Sequence, residues 1–289
     1  MCLCTIRVRD LQKKARFPIF SLALGILAKE LKIMSRYIGS LLLVLFMPFG
    51  VSGLYLGVGY ALAGEKSFSN FQANTGVATP LAYFVVGGVL MIASMVMIEN
   101  ASSIIREEQL IGTFELHYLT PNSPVLTWML HAFAWSILMV IVFAIDISIV
   151  LATSIVGYDY LTVGMIFVVV FIGLIPLAGL GLVIAALTIR FKEVYAVSST
   201  INAFISMLSG FYYPLEIFPR IVQAVAQLLP TTHVSIITKT LIGASSGQLS
   251  VGDRILVMVL LAFLYLTFGK TIYQRWENEA RKRGELSKY

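Results

Sequence analysis

Charged residues are scarce in this chain. Of its 289 residues, 12% are charged and 58% are hydrophobic, whereas an ordinary soluble domain has about 25% charged and about 45–50% apolar residues. The mean hydropathy is +0.87. Because a compact soluble domain needs a wide polar surface, this composition excludes a soluble enzyme, an intrinsically disordered protein and a disulfide-stapled secreted domain. It indicates a protein that crosses the membrane several times.

Residues suited to covalent or metal chemistry are also few. The two cysteines, Cys2 and Cys4, form a single C-x-C, which is too little for a metal site alone or for a disulfide framework. The histidines are scattered at His117, His131 and His233. No carboxylates pair at a catalytic spacing, and the phosphate-loop pattern G-x-x-x-x-G-K-[ST] is absent. We therefore expect no catalytic, cofactor or metal site on this chain.

Six stretches are apolar enough for membrane-spanning helices, each of which needs about 20 mostly apolar residues. They cover residues 38–62, 80–98, 125–150, 161–189, 195–213 and 255–274. Strand-type alternation is absent, so the expected fold class is an all-α membrane protein. The expected organisation is an N-terminal segment 1–36, a six-span domain 37–275 and a basic tail 276–289.

The distribution of Lys and Arg predicts the orientation. Seventeen of them fall in the N-terminal segment, in the loops after the second and fourth spans, and from Lys270 onward, against four on the opposite side. Because cytoplasmic loops carry the excess of basic residues, we expect both termini in the cytoplasm. This distribution also explains the net charge of +6 as a topology signal rather than as a nucleic-acid-binding surface.

Residues 17–36 predict an amphipathic helix. On a helical wheel Lys29, Lys32 and Arg36 fall in one narrow polar sector, while Leu27 lies well inside a broad apolar face that is interrupted mainly by Glu30. This pattern is typical of a helix that lies in the membrane interface. The alternative, a poor transmembrane span, is disfavoured by the charges in its C-terminal half.

Residues 214–250 break the pattern of spans. Pro214, Pro219 and Pro230 divide this segment into pieces that are too short to cross the bilayer. Such a segment fits a re-entrant or interfacial hairpin, here on the outer side before the last span. Thr231 and Lys239 belong to the same segment.

The polar segment 104–122 separates the second and third spans. We expect a helix that ends near Gly112, a second short helix from Thr113, whose side chain would cap it, and a stop at Pro121. Three acids, Glu107, Glu108 and Glu115, make this loop acidic on an otherwise basic side. On composition it fits a solvated loop, but its interspersed apolar residues favour a docked surface.

Two stretches together resemble the membrane subunit of type-2 ATP-binding-cassette (ABC) exporters. The first comprises Arg106-Glu107-Glu108, Gly112-Thr113-Phe114-Glu115-Leu116 and Leu119-Thr120-Pro121. The second comprises Gly210-Phe211-Tyr212-Tyr213-Pro214, Phe218-Pro219 and Leu229-Pro230-Thr231-Thr232-His233. The resemblance covers nearly the whole chain, although many family members have arginine in place of Lys239.

The resemblance implies a permease that dimerises, with itself or with a second permease, in the cytoplasmic membrane. It would dock on a separate ATPase, which binds ATP and magnesium, and export a drug, a lipid or a lipid-linked polysaccharide. The implied docking residues are Arg106, Glu107, Glu108, Gly112, Thr113, Phe114 and Glu115. The alternative is a non-transporting membrane scaffold or assembly factor.

Three polar residues within the spans are candidates for intramembrane function. A charge inside the bilayer costs roughly 2.5–3.5 kcal/mol on insertion scales, so Asp146 either lines a cavity or relay, or lies at the interface and reaches the headgroups. We expect the second. For His131 and Asn202 we expect hydrogen bonds between helices.

Overall fold

The computed structural model describes residues 18–77, 80–120, 122–153, 160–191, 194–242 and 251–283. All regular structure in these ranges is helical, which confirms the all-α prediction. Cys2 and Cys4, the start of the predicted N-terminal helix at residue 17, residues 243–250 of the outer segment and the tail from 284 lie outside the described residues.

Eleven α-helices follow one another in the described part of the chain. They are α1 Ile19–Arg36, α2 Ile38–Ala63, α3 Ser67–Thr75, α4 Pro80–Ile111, α5 Phe114–Leu119, α6 Pro124–Thr153, α7 Tyr160–Phe191, α8 Val194–Leu208, α9 Arg220–Ala226, α10 Pro230–Leu241 and α11 Val251–Arg283. Short 3₁₀ turns lie at Gly64–Lys66 and Leu215–Ile217.

Five of these helical segments are long and apolar enough to cross a membrane. They are Ile38–Thr75, Pro80–Ile111, Pro124–Ile149, Tyr160–Leu187 and Val251–Ala280. A bent pair, α9 and α10, meets at 95° and forms either a broken span or a re-entrant loop, in agreement with the predicted hairpin.

The helix of the fifth predicted span differs from the expected 195–213. It ends at Leu208, and its 15 residues extend about 22 Å, less than the roughly 30 Å of a bilayer core. The chain then turns through Gly210, whose φ of +66° suits a residue without a Cβ.

Helix α4 lies at the centre of the bundle. In the most apolar 18-residue stretch of α4, 72% of the residues are buried. The corresponding share is 11% in the segment that contains α2 and 17% in α11. Helix α4 packs against α2, α6, α7 and α8. Its 32 residues extend about 48 Å, so residues 99–111 continue beyond the predicted span towards α5. We call the two ends of the bundle the α5 end and the α3 end.

Helices α7 and α11 cross in close backbone contact. A Cβ on Gly179 would overlap the Tyr265 carbonyl, and one on Gly269 would overlap the Gly179 carbonyl. Small residues at such crossings let membrane helices approach backbone to backbone. This crossing ties the last helix to the rest of the bundle.

Candidate functional site

The α5 end of the bundle carries a sharp turn between α4 and α5. Gly112 forms it with a φ of +78°, a left-handed conformation that costs a residue with a Cβ about 1–2 kcal/mol. Its N–H donates to the Gln109 carbonyl over 3.1 Å, and the Thr113 N–H donates to the Glu108 carbonyl over 2.9 Å. The two helices predicted on either side of Gly112 are therefore confirmed.

Thr113 lies at the position that precedes α5, but its side chain does not cap that helix. Its hydroxyl instead donates back to the Glu108 carboxylate. The expected cap is wrong because the acid on the preceding turn of α4 is within reach of the same hydroxyl. The bond closes the turn from the α4 side.

Glu108 connects three helices. Its Oε1 lies 3.5 Å from Lys29 Nζ of α1, and its Oε2 lies 3.4 Å from His117 Nε2 of α5. Only 14% of the Glu108 side chain is exposed. We predicted that the acids of this loop would meet a partner protein, but this carboxylate is already used within the chain. Glu107 is exposed, although its Oε1 accepts a hydrogen bond from Ser103 over 2.7 Å.

Helix α5 rests on a small apolar cluster. Phe114 is 2% exposed and packs in one cluster with Ile105, Trp128 and Tyr273. The indole N–H of Trp128 donates to the Tyr273 hydroxyl over 3.0 Å, and the His117 ring lies 4.5 Å from the Trp128 ring, centroid to centroid. These contacts link α5 to α4, α6 and α11.

Beyond this support, the turn and α5 present an apolar surface outward, which we call the apolar tip. Its four members are more than half exposed: Leu110 67%, Ile111 73%, Leu116 56% and Leu119 78%. Arg106 is half-buried on the last turns of α4. Glu115 lies in α5, but its side chain is outside the described part of the structure.

Helix α1 packs on α6 beside this turn. Its buried face consists of Ile26 and Glu30, while Leu27 is half-buried and Lys32 and Arg36 are exposed. Glu30 Oε1 lies 3.6 Å from His131 Nε2 of α6 and 3.8 Å from Lys29 Nζ. Burial raises the pKa of Glu30, and Lys29 partly opposes this effect.

Sequence reasoning missed the direction in which Glu30 faces. The signal was present, since this acid was the main interruption of the predicted apolar face. Large apolar residues on the remaining faces of α1 are exposed, among them Phe20 at 75% and Leu24 at 49%. Such a helix, with one face on protein and apolar residues outside, agrees with a position in the membrane interface.

The predicted outer hairpin is built around the turn that follows α8. Pro214 and Pro219 precede the 3₁₀ turn and α9, and Pro230 begins α10. The Thr231 and Ser209 hydroxyls lie 2.5 Å apart. Lys239 is buried, and its Nζ donates to the Gly210 and Phe211 carbonyls, each over 2.7 Å.

The three intramembrane polar residues differ in their surroundings. His131 contacts α1 through Glu30. The Oδ1 atom of Asn202, which is buried, has no hydrogen-bond partner among the described residues. Asp146 is 1% exposed. Our expectation that it reaches the headgroups is wrong, because α6 turns it towards α2 and α4.

Comparison with known proteins gives one family. A family model described as ABC-2 type transporter matches residues 22–241, a range that contains the apolar tip and residues 214–241 of the outer hairpin. A search of curated proteins finds no match to this chain.

Proposed function

Because the chain belongs to the ABC-2 type transporter family, we propose that it is the permease subunit of an ABC exporter. In this proposal it moves a drug, a lipid or a lipid-linked polysaccharide out across the cytoplasmic membrane. A separate ATPase subunit binds ATP and magnesium and hydrolyses the ATP. The α5 end faces the cytoplasm, and so do both termini.

The observation that carries the proposal is the apolar tip. Four large apolar side chains more than half exposed, next to the charged residues of α1 and α4, form the kind of patch that marks a protein interface. Leu110 and Ile111 end α4, beyond its long apolar part, and Leu116 and Leu119 lie on α5, a helix of six residues. We infer that the ATPase buries this tip, and that Glu107 and Arg106 at its rim affect orientation more than affinity.

The contacts behind the tip connect the docking site with the spans. Phe114, Trp128 and Tyr273 join α5 to α6 and α11, and the Lys29–Glu108 pair joins α4 to α1. A displacement of α5 by the ATPase is therefore transmitted to both sides of the bundle through packed side chains. Helix α11 and the segment that contains α2 are mostly unburied within one chain. We infer that they face lipid and a second permease subunit, identical or related.

The test is copurification of ATP hydrolysis. Tagged protein is purified from native membranes in mild detergent, and vanadate-sensitive ATP hydrolysis is measured in the eluate. The Leu116→Ser/Leu119→Ser variant should lose most of the copurifying activity, since it removes apolar area from the tip without touching Phe114. The Leu62→Ser/Phe68→Ser variant changes two exposed apolar residues near the α3 end and should keep it.

If no ATPase copurifies with the unchanged protein, the scaffold alternative replaces the transporter. Equal loss of activity in both variants would show that exposed apolar residues matter only for membrane stability, and the docking assignment would then fail.

A further inference from the structure

A cavity of about 420 Å³ opens between the α1–α2 junction, α4 and α6. Its walls are mostly apolar and aromatic, with Tyr37, Val44, Trp135 and Met139 among them. Among the described residues that line it, Glu99 carries the only formal charge. This volume falls in the range of small-molecule sites, which are mainly apolar with a few placed polar groups.

A second acid lines a neighbouring space that shares part of its wall with this cavity. Val44 and Met139 also border a much smaller space of about 10 Å³ that Asp146 lines. The Asp146 side chain is 1% exposed, and neither carboxylate oxygen has a hydrogen-bond partner among the described residues. A buried carboxylate without a partner is costly, and within a membrane span it marks a ligand or ion path.

The two acids lie at different depths. Ala93 lines the small space and Glu99 the large cavity, and six residues of α4 separate them, which is about 9 Å along the helix axis. Between these acids the lining is mostly apolar. The nearby basic residues Lys32 and Arg36 are exposed on α1 and do not line the cavity.

Pro48 adds a polar group at the same depth. It borders the small space and has no N–H to donate to the carbonyl of Val44, four residues earlier. Val44 borders both spaces. Trp135 in the wall of the large cavity presents an indole N–H without a partner among the described residues, but both formal charges are negative, so the site attracts positive charge and repels anions.

We propose that this cavity binds a lipophilic organic cation, with its charge between Glu99 and Asp146 and its apolar body against α2, α4 and α6. The cavity opens at the level of the α1–α2 junction, where an amphiphile in the adjacent leaflet can enter it sideways. Taking this cation as the transported cargo rests on the proposed function.

The first experiment measures binding to the purified chain in nanodiscs, without ATP or an ATPase, so that it is independent of the docking assignment. The probe is tritiated tetraphenylphosphonium, and binding to empty nanodiscs is subtracted. Tetraphenylborate, an anion of the same shape, should not compete. Glu99→Gln and Asp146→Asn should each weaken binding at least tenfold, and the control Glu65→Gln, an exposed acid near the α3 end, should leave it unchanged.

Binding within twofold of the unchanged protein in either Glu99→Gln or Asp146→Asn overturns the two-acid site, and so does competition by tetraphenylborate. Glu99 is exposed, so its variant remains informative if Asp146→Asn does not fold. The second experiment asks whether the cation is cargo. Tetraphenylphosphonium should stimulate ATP hydrolysis by the copurified complex, and Glu99→Gln should abolish the stimulation; binding without stimulation would show that the cavity is not a cargo site.

Discussion

The side chain of Lys239 closes an irregular part of the backbone inside the bundle. After α8 the chain leaves the helix and passes through Gly210 and Phe211. This stretch lies against Gly87 of α4, where a Cβ would overlap the Phe211 carbonyl. Irregular backbone at membrane depth needs partners from the protein. Lys239 supplies them to both carbonyls, and its Nζ also lies 3.6 Å from the centre of the Tyr83 ring.

We predict that Lys239→Met destabilises the protein and that Lys239→Arg does so much less. Methionine fills a similar space but leaves the buried Phe211 carbonyl without a donor and the Gly210 carbonyl with only the Ser235 hydroxyl, 3.3 Å away. A buried carbonyl that loses its donor costs roughly 1–3 kcal/mol. The apparent melting temperature in detergent, followed by size-exclusion chromatography of heated samples, should fall by about 5–10 °C for methionine. A methionine variant as stable as the unchanged protein would show that Lys239 does not hold this turn.

Individual side chains were the hardest part to predict from the sequence. Lys239 differed from the family pattern, but its partners belong to a turn 28 residues earlier, and no local pattern indicates such a contact. Asp146 was recognised as an intramembrane acid, yet its direction depends on the rotation of α6 against α2 and α4. Local signals were sufficient for Gly112, because a left-handed turn between two helices is a property of neighbouring residues.

At the scale of elements, the α4–α5 turn depends on backbone conformation rather than on space. Among the described residues, no heavy atom lies within 4 Å of a Cβ built on Gly112, whereas φ is +78°. A substitution here therefore tests the conformation alone. Asparagine tolerates this left-handed region, while a β-branched residue does so poorly.

We predict that Gly112→Val uncouples the ATPase while Gly112→Asn retains coupling. Valine would shift the turn, tilt α5 and misplace the apolar tip, so the copurified complex should hydrolyse ATP with several-fold lower cargo stimulation. Glu107→Gln, a change at the exposed rim, should have less effect than Gly112→Val. Hydrolysis by the four complexes is compared at equal ATPase content; identical behaviour of the valine and asparagine variants would exclude the left-handed turn as the determinant.

Hydropathy predicted the long helices well. A membrane-spanning helix must hydrogen-bond its own backbone N–H and C=O groups and expose apolar side chains to lipid. The prediction failed at α8, where the predicted span was extended through residue 213. Those last residues are apolar too, but Phe211 and Tyr212 are buried against protein in a turn rather than in a helix. Hydropathy does not separate these two environments.

At the scale of the whole molecule, the distribution of charge predicts the orientation in the membrane, and the structure supplies the two ends to be compared. Asn70 is exposed on α3, and Leu119 is 78% exposed at the other end, on α5. In the predicted topology, seventeen Lys and Arg residues fall on the side of the bundle that contains α5, and four fall on the opposite side. An excess of Lys and Arg in the loops of one side predicts that this side is cytoplasmic. Leu119 should therefore lie in the cytoplasm and Asn70 outside it.

We predict that Asn70→Cys, in a chain with Cys2 and Cys4 replaced by serine, reacts with an impermeant maleimide in intact cells. Leu119→Cys should react only after the membrane is permeabilised, and it should be protected when the ATPase is present, because the proposed partner buries the tip. Labelling of Leu119→Cys but not Asn70→Cys in intact cells would invert the orientation and place the apolar tip where no ATPase could reach it. Protection of Leu119→Cys by the ATPase then distinguishes a docking surface from a helix that is merely inside the cell. Only a docking surface becomes less accessible to the maleimide when the partner binds.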